Sequence, residues 1–83
     1  MTWKEENNKL SATFRFANFT EAFAFMTEVA FAAERLQHHP EWSNVWNTVR
    51  INLCTHDDGN VVTQKDHDLA REIDLIVKKY TVA

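Results

Sequence analysis

The chain is poor in the residues that interrupt or cross-link a protein: among 83 residues it has one glycine, one proline and one cysteine. A lone cysteine, Cys54, excludes an intrachain disulfide and fits a reducing compartment. A single Gly59 and a single Pro40 leave little room for long irregular segments, and no repeat, low-complexity tract or linker divides the chain. Residues 1–83 therefore read as a single domain. The net charge of −3 lacks the basic excess that grips a phosphate backbone, so direct nucleic-acid binding is not expected. No run approaches the roughly 18 apolar residues of a membrane span. The opening residues, Met1 to Glu6, lack the apolar segment of a secretory signal. The expectation is a cytoplasmic protein without membrane contact.

Apolar residues are plentiful instead, at 45%, and the chain has six Phe, three Trp and one Tyr. For so small a domain the surplus predicts self-association as a homodimer or homotetramer. Leu10, Ala12, Phe14 and Phe16 alternate with Ser11, Thr13 and Arg15, the period of a strand with one buried face. A short stretch near Trp3 pairs with it across Asn7-Asn8. Thr20 is a reasonable N-cap, and the chain runs from there to Gln37 without Gly or Pro, which predicts a long helix. Ala22, Phe23, Met26, Val29, Ala30, Ala33 and Leu36 form its broad apolar face. Phe25 and Phe31 fall outside the centre of that face, as interface or edge-of-core residues.

Pro40 pushes His39 toward extended geometry and ends the helical region. Residues 40–44 read as a loop. Val45, Asn47, Val49, Ile51, Leu53 and Thr55 then alternate with Trp46, Thr48, Arg50, Asn52, Cys54 and His56 as one strand. Residues 57–60 signal a turn, and Val61-Val62 returns as a short strand. Thr63 with Asp66 three residues later is a capping signature, followed by Leu69, Ile73, Ile76 and Tyr80 at helical spacing. The expected fold is α+β, in the order β-β-α-β-β-α, with two helices packed on one face of an antiparallel four-stranded sheet.

Three of the four histidines, His38, His39 and His56, fall in one short window. Imidazole can donate and accept protons near neutrality, so their convergence would supply acid–base chemistry. On the first helix Glu34 and His38 are four residues apart, so they share a face and the carboxylate can hold or charge the imidazole. His38 also sits at the helix's negative end. His39 leaves in another direction, and His56 arrives beside Asp57 and Asp58. Three readings stay open on spacing alone. In the plainest, His38-His39-Pro40 is a helix stop and His56 a polar strand end. In a second, three imidazoles form a zinc site with an open water position, although adjacent histidines are awkward ligands for one ion. In the third, the rings move protons on a substrate. Cys54 as a nucleophile is weaker, since nothing but His56 lies near it in sequence to activate it. Trp42 and Trp46 read as core or cleft wall, where either could stack on a flat heterocycle. His67 reads as solvent-facing.

The string Glu34-x-x-x-His38-His39-Pro40, followed by Trp46, His56 and Asp66, resembles the signature of the pterin-4a-carbinolamine dehydratases. Phe19 to Met26 looks like the family's first-helix opening and His38 to Trp42 like its active-site loop, while Asn44-Val45 and Leu53 to His56 resemble the strand that follows. The segment between Trp3 and Phe14 is shorter than in animal members, and the turn at Asp57-Asp58 is more acidic. The resemblance implies dehydration of 4a-hydroxytetrahydropterin to quinonoid dihydropterin, the recycling step after a pterin-dependent aromatic amino-acid hydroxylase. It needs no metal and no redox cofactor. His38 and His56 would be the acid–base pair, His39 would chiefly hold the pterin, and Glu34 would orient His38. Asp66 would support the histidines from behind, and Pro40, Thr55, Asp57 and Asp58 would contact substrate. Animal relatives also serve as dimerisation cofactors of a homeodomain transcription factor, so a non-catalytic dimerisation, auxiliary or assembly role is the alternative.

Overall fold

The computed structural model describes residues 3–80. Strand β1 (Lys4–Glu6) and strand β2 (Lys9–Arg15) lead into helix α1 (Phe19–Leu36). Strands β3 (Glu41–Val45) and β4 (Thr48–Leu53) follow, then a 3₁₀ turn at His56–Asp58 and helix α2 (Gln64–Val77). The four strands form one antiparallel sheet in the order β1-β2-β4-β3. Both helices pack on it, in the expected α+β arrangement.

Alternation along β2 and β4 decides which face is covered. Leu10, Ala12, Phe14 and Phe16 join Val49, Ile51 and Leu53 beneath the helices, in one cluster with Phe25, Val29, Leu69 and Ile73. Asn7 and Asn8 both hold positive φ in the β1–β2 turn, a conformation that asparagine tolerates and that matches strand twist. Thr63 and Asp66 close a full capping box at the start of α2. Tyr80 lies beyond that helix but packs edge-on against Phe16 at 5.6 Å.

The middle of the chain departs from its periodicity. Residues 41–45 are a strand, and the expected single strand from Val45 to His56 is broken by a two-residue turn at Trp46-Asn47. The turn contains no glycine, and its two residues switch the inward positions from even to odd numbers: Trp42 and Asn44 share a face with Val49 and Ile51, while Val45, in step with Val49 along the chain, falls on the open face. Asn44 braces the turn by donating to the carbonyls of Trp46 and Thr48 at 3.1 and 2.8 Å. Trp46 sits at φ 50°, a backbone state that costs a side-chain-bearing residue roughly 1–2 kcal/mol. It is neither core nor cleft wall, being 64% exposed, and Val45 is exposed beside it. Val61 makes only an isolated bridge to Thr55, so β3 supplies the fourth strand in place of Val61-Val62.

Helix α1 starts earlier and faces differently than expected. Its N-cap is Asn18, whose side-chain oxygen accepts from the Glu21 amide at 2.9 Å, and Thr20 lies inside the first turn. Phe25 is wholly buried between Phe14 and Phe16, with ring centroids 5.4 and 4.8 Å away, whereas Phe23 and Ala30 face outward. Apolar residues encircle much of this helix, so its own pattern allows two phases; the two sheet phenylalanines select the phase that buries Phe25. Phe31 projects outward, at the edge of the apolar set as expected.

Candidate active site

The end of α1 sets the site. Gln37 takes the left-handed conformation at φ 53°, the amide of His38 reaches back to the Ala33 carbonyl at 3.0 Å, and that of Gln37 bonds Glu34. This is a Schellman stop with glutamine in the position usually held by glycine. The reversal takes His38 off the helical path, so the i, i+4 geometry expected for Glu34 and His38 is lost. Glu34 bonds His39 instead, Oε1 to Nε2 at 2.8 Å.

His38 turns inward to Asp66. Its Nε2 lies 2.5 Å from Asp66 Oδ1, and the carboxylate is completely buried at the start of α2. The other oxygen, Oδ2, accepts from the Thr55 hydroxyl at 2.9 Å and from the Thr63 amide at 2.8 Å. Thr55 gives its only hydroxyl proton to Asp66, so the 2.6 Å contact between the two threonine hydroxyls is donated by Thr63. Thr63 Oγ1 in turn accepts from the Lys65 amide. One buried carboxylate thus caps α2, ties down the strand end at Thr55 and anchors His38. Three donors meet the demand of a carboxylate removed from water.

His56 begins the 3₁₀ turn after β4, and its Nδ1 bonds the Asn60 side-chain oxygen at 2.7 Å. All three rings are held at one nitrogen. An acceptor partner at Nε2 of His38, Nε2 of His39 and Nδ1 of His56 leaves Nδ1, Nδ1 and Nε2 respectively uncommitted. His38, His39 and His56 line one open cleft of about 180 Å³ with Gln37, Cys54, Thr55, Asp57 and Lys65. Convergence of the three imidazoles, which spacing left open, is therefore realised in the fold.

Other expected site residues stand apart from this cleft. Asp58 is exposed on the 3₁₀ turn and does not line it. Glu34 and Pro40 belong to a neighbouring groove of about 440 Å³, with Ala30, Phe31, Ala33 and Trp42, and His39 forms the wall shared by the two. Sequence reasoning missed Gln37, Lys65 and Thr63. The spacing from Thr63 to Asp66 marked a helix cap, but no local signal shows that the cap is also a histidine anchor. Burial pushes the Cys54 thiol up, with Glu41 and Asp66 adding to the effect, which keeps its sulfur protonated and a poor nucleophile. No cluster of three or more His, Cys, Asp or Glu among the described residues has the convergence of a metal site.

Comparison with known proteins gives consistent results. The sequence profile of the family described as pterin 4 alpha carbinolamine dehydratase matches residues 1–76. A curated protein of Prochlorococcus marinus, provisionally named a pterin-4-alpha-carbinolamine dehydratase, is 51% identical over 75 residues, covering 90% of this chain and 77% of its own. A crystal structure described as a transcriptional coactivator/pterin dehydratase from Brucella melitensis superposes with a TM-score of 0.86 at 39% identity, over 90% of this chain and 81% of that one. A pterin dehydratase-like protein identified as a RuBisCO assembly factor in the alpha-carboxysome shares the fold, with a TM-score of 0.77 at 22% identity, over 92% and 89% of the two chains.

Proposed function

This chain belongs to the pterin-4a-carbinolamine dehydratase family, and from that premise we propose that its three-histidine cleft dehydrates a 4a-hydroxytetrahydropterin to the quinonoid dihydropterin. The reaction removes the hydroxyl from C4a and the proton from N5. One ring of the pair His38 and His56 gives a proton to the hydroxyl, which departs as water with the C4a–O electron pair. The N5 lone pair forms the C4a=N5 double bond, and the other ring takes the N5 proton. Atoms and charge balance as the loss of one water, and positioned acid–base groups suffice for such a step. His39, steadied by Glu34, holds the pterin, with Thr55 and Asp57 also lining the cleft and Pro40 in the adjoining groove. Asp66 keeps one His38 nitrogen occupied, so the free nitrogen is always the same one.

The observation that carries this reading is the sharing of one cleft by His38, His39 and His56, with His38 anchored on a buried carboxylate. The test is decay of the 4a-carbinolamine signal with purified protein, without metal or nucleotide. Acceleration is expected, falling by about 10²–10⁴ when His38→Ala and His56→Ala are combined. Undiminished turnover in the double variant overturns the role assignment, and loss on chelation with recovery on adding zinc replaces it with a metal mechanism. The product's use places the protein functionally beside a pterin-dependent aromatic amino-acid hydroxylase. No helix among the described residues is long and apolar enough to cross a membrane, and a cytoplasmic location fits the substrate.

One observation favours an assembly reading alongside catalysis. Phe19, Phe23 and Phe31 stand exposed along the outer side of α1, with Phe19 and Phe23 in ring contact at 5.9 Å. Such an aromatic stripe on a small domain is suited to packing against a second copy, as a homodimer or homotetramer. Light scattering tests this, and a strictly monomeric mass contradicts it. A dimerisation-cofactor role would use the same face on a different protein.

A further inference from the structure

The sheet face away from the helices is polar, and its charges are segregated along the strands. At one end each acid has a lysine: Lys4 with Glu6 at 3.9 Å and Lys9 with Glu41 at 3.3 Å. At the other end stand Arg15 and Arg50, which have no ion-pair partner among the described residues. The register makes them diagonal neighbours, because Arg15 pairs with Thr48 and Arg50 lies two residues further along β4. Such positions are about 7–8 Å apart, within reach of one shared anionic group for two long side chains. Ser43 pairs with Arg50 and Val45 with Thr48 on the adjoining strand.

Arg15, Ser43, Thr48 and Arg50 line a hollow of about 480 Å³ together with Val45 and Trp46. The volume lies within the usual range for small-ligand sites and exceeds that of the histidine cleft. Trp46 is the exposed indole held at positive φ. Two unpaired guanidiniums suit a phosphate, which they can bind in forked geometry, and an exposed indole offers a stacking surface for a flat ring. From this juxtaposition we propose that the open sheet face, at Arg15, Arg50 and Trp46, is a binding site for a phosphate-bearing planar heterocycle, a nucleoside monophosphate in its simplest form. It is separate from the histidine cleft and independent of the dehydratase reading.

The test is calorimetric titration of the full chain with AMP, with adenosine and inorganic phosphate titrated separately. Saturable AMP binding is expected, at least about tenfold tighter than either fragment, since phosphate and ring contacts add. Arg15→Gln and Arg50→Gln should each weaken it about tenfold. Trp46→Asn, which keeps a residue tolerant of positive φ, should weaken it about fivefold. Carbinolamine turnover should not change in any of the three. Should a glutamine variant fail to fold, Arg50→Lys retains the charge and removes the fork, and should still weaken binding. No saturation at millimolar AMP, phosphate binding as tightly as AMP, or unchanged affinity in the Arg15→Gln and Arg50→Gln double variant each overturns the proposal, as does preference for an acidic peptide over AMP.

Discussion

His38 and His39 are neighbours in the chain and opposites in the fold. Both rings bond a carboxylate through Nε2, but His38 is mostly buried and meets an Asp66 that solvent does not reach, whereas His39 and its partner Glu34 have side chains 63% and 72% exposed. The difference teaches that a bond's worth depends on what is left behind when it is removed. Breaking the inner pair strands a buried group with three donors, while breaking the outer pair exposes two groups to water that already solvates them.

Substituting each carboxylate sharpens this contrast, and the inner one carries the largest expected effect. Asp66→Asn turns an amide hydrogen toward one of three donors, so unfolding free energy should fall by about 2–4 kcal/mol. Turnover should fall by at least about 10² through kcat, because the His38 tautomer is no longer dictated. Denaturant titration and steady-state kinetics measure the two losses, and a drop in stability without a drop in kcat would make Asp66 a helix cap only.

Thr55→Val should cost about 1–3 kcal/mol, since it leaves Asp66 Oδ2 and the Thr63 hydroxyl each one partner short in a buried place. Recovery of most of that stability in Thr55→Ser would assign the loss to the hydroxyl and not to packing. Glu34→Gln is the mild counterpart: stability should stay within about 0.5 kcal/mol, KM should rise a few-fold and kcat should hold. An equal loss of kcat in the Asp66 and Glu34 variants would erase the distinction between the two pairs.

A third carboxylate contact lies between these extremes, and the change in its contribution with pH should be smallest near neutrality. Glu28 accepts from the Tyr80 hydroxyl at 2.5 Å and from Lys79. Burial, then the bond to Glu28, pushes the Tyr80 phenol up to about 12. Because the folded value lies above the ordinary value near 10, the contribution is whole below pH ~10 and is lost as pH rises toward the folded value. Glu28 is held below the usual carboxylate range, first by Lys79 and then by Tyr80, so its contribution is present above the ordinary value and lost as pH falls through its lowered one. As the only tyrosine, Tyr80 can be followed by ultraviolet absorbance, and a native midpoint near 10 would show that the contact does not persist.

The same contrast governs how much was legible in the chain. Strand β2 and the buried positions of β4 follow from strict alternation, and the start of α2 follows from Thr63 and Asp66, because those signals depend on residues two to four apart. The start of α1 was present in the same form: Asn18 with Glu21 three residues on is a capping spacing, obscured by the nearby Thr20. The β3–β4 turn was not legible, since Trp46-Asn47 lacks the glycine that usually marks a tight hairpin and the apolar Val45, although on the open face, extends the apparent alternation of Val49, Ile51 and Leu53 across it. At the site, the proximity of His38 to His39 was given by adjacency and the resemblance named Glu34 and Asp66 as their supports, but which ring each carboxylate takes was not legible. A single left-handed residue, Gln37, reverses the chain and exchanges the partner that helical spacing assigned.

The sequence by itself determined the order and kind of the elements, the covered face of the central strands and the membership of the histidine set, since each is encoded in local periodicity and short motifs. Only the tertiary structure decided that Phe25 enters the core while Phe23 faces outward, that residues 41–45 complete the sheet, and that Asp66 anchors His38 while Glu34 takes His39. Those outcomes depend on which surfaces meet, and a carboxylate 28 residues from a histidine becomes its partner only when the end of one helix is packed against the beginning of the other.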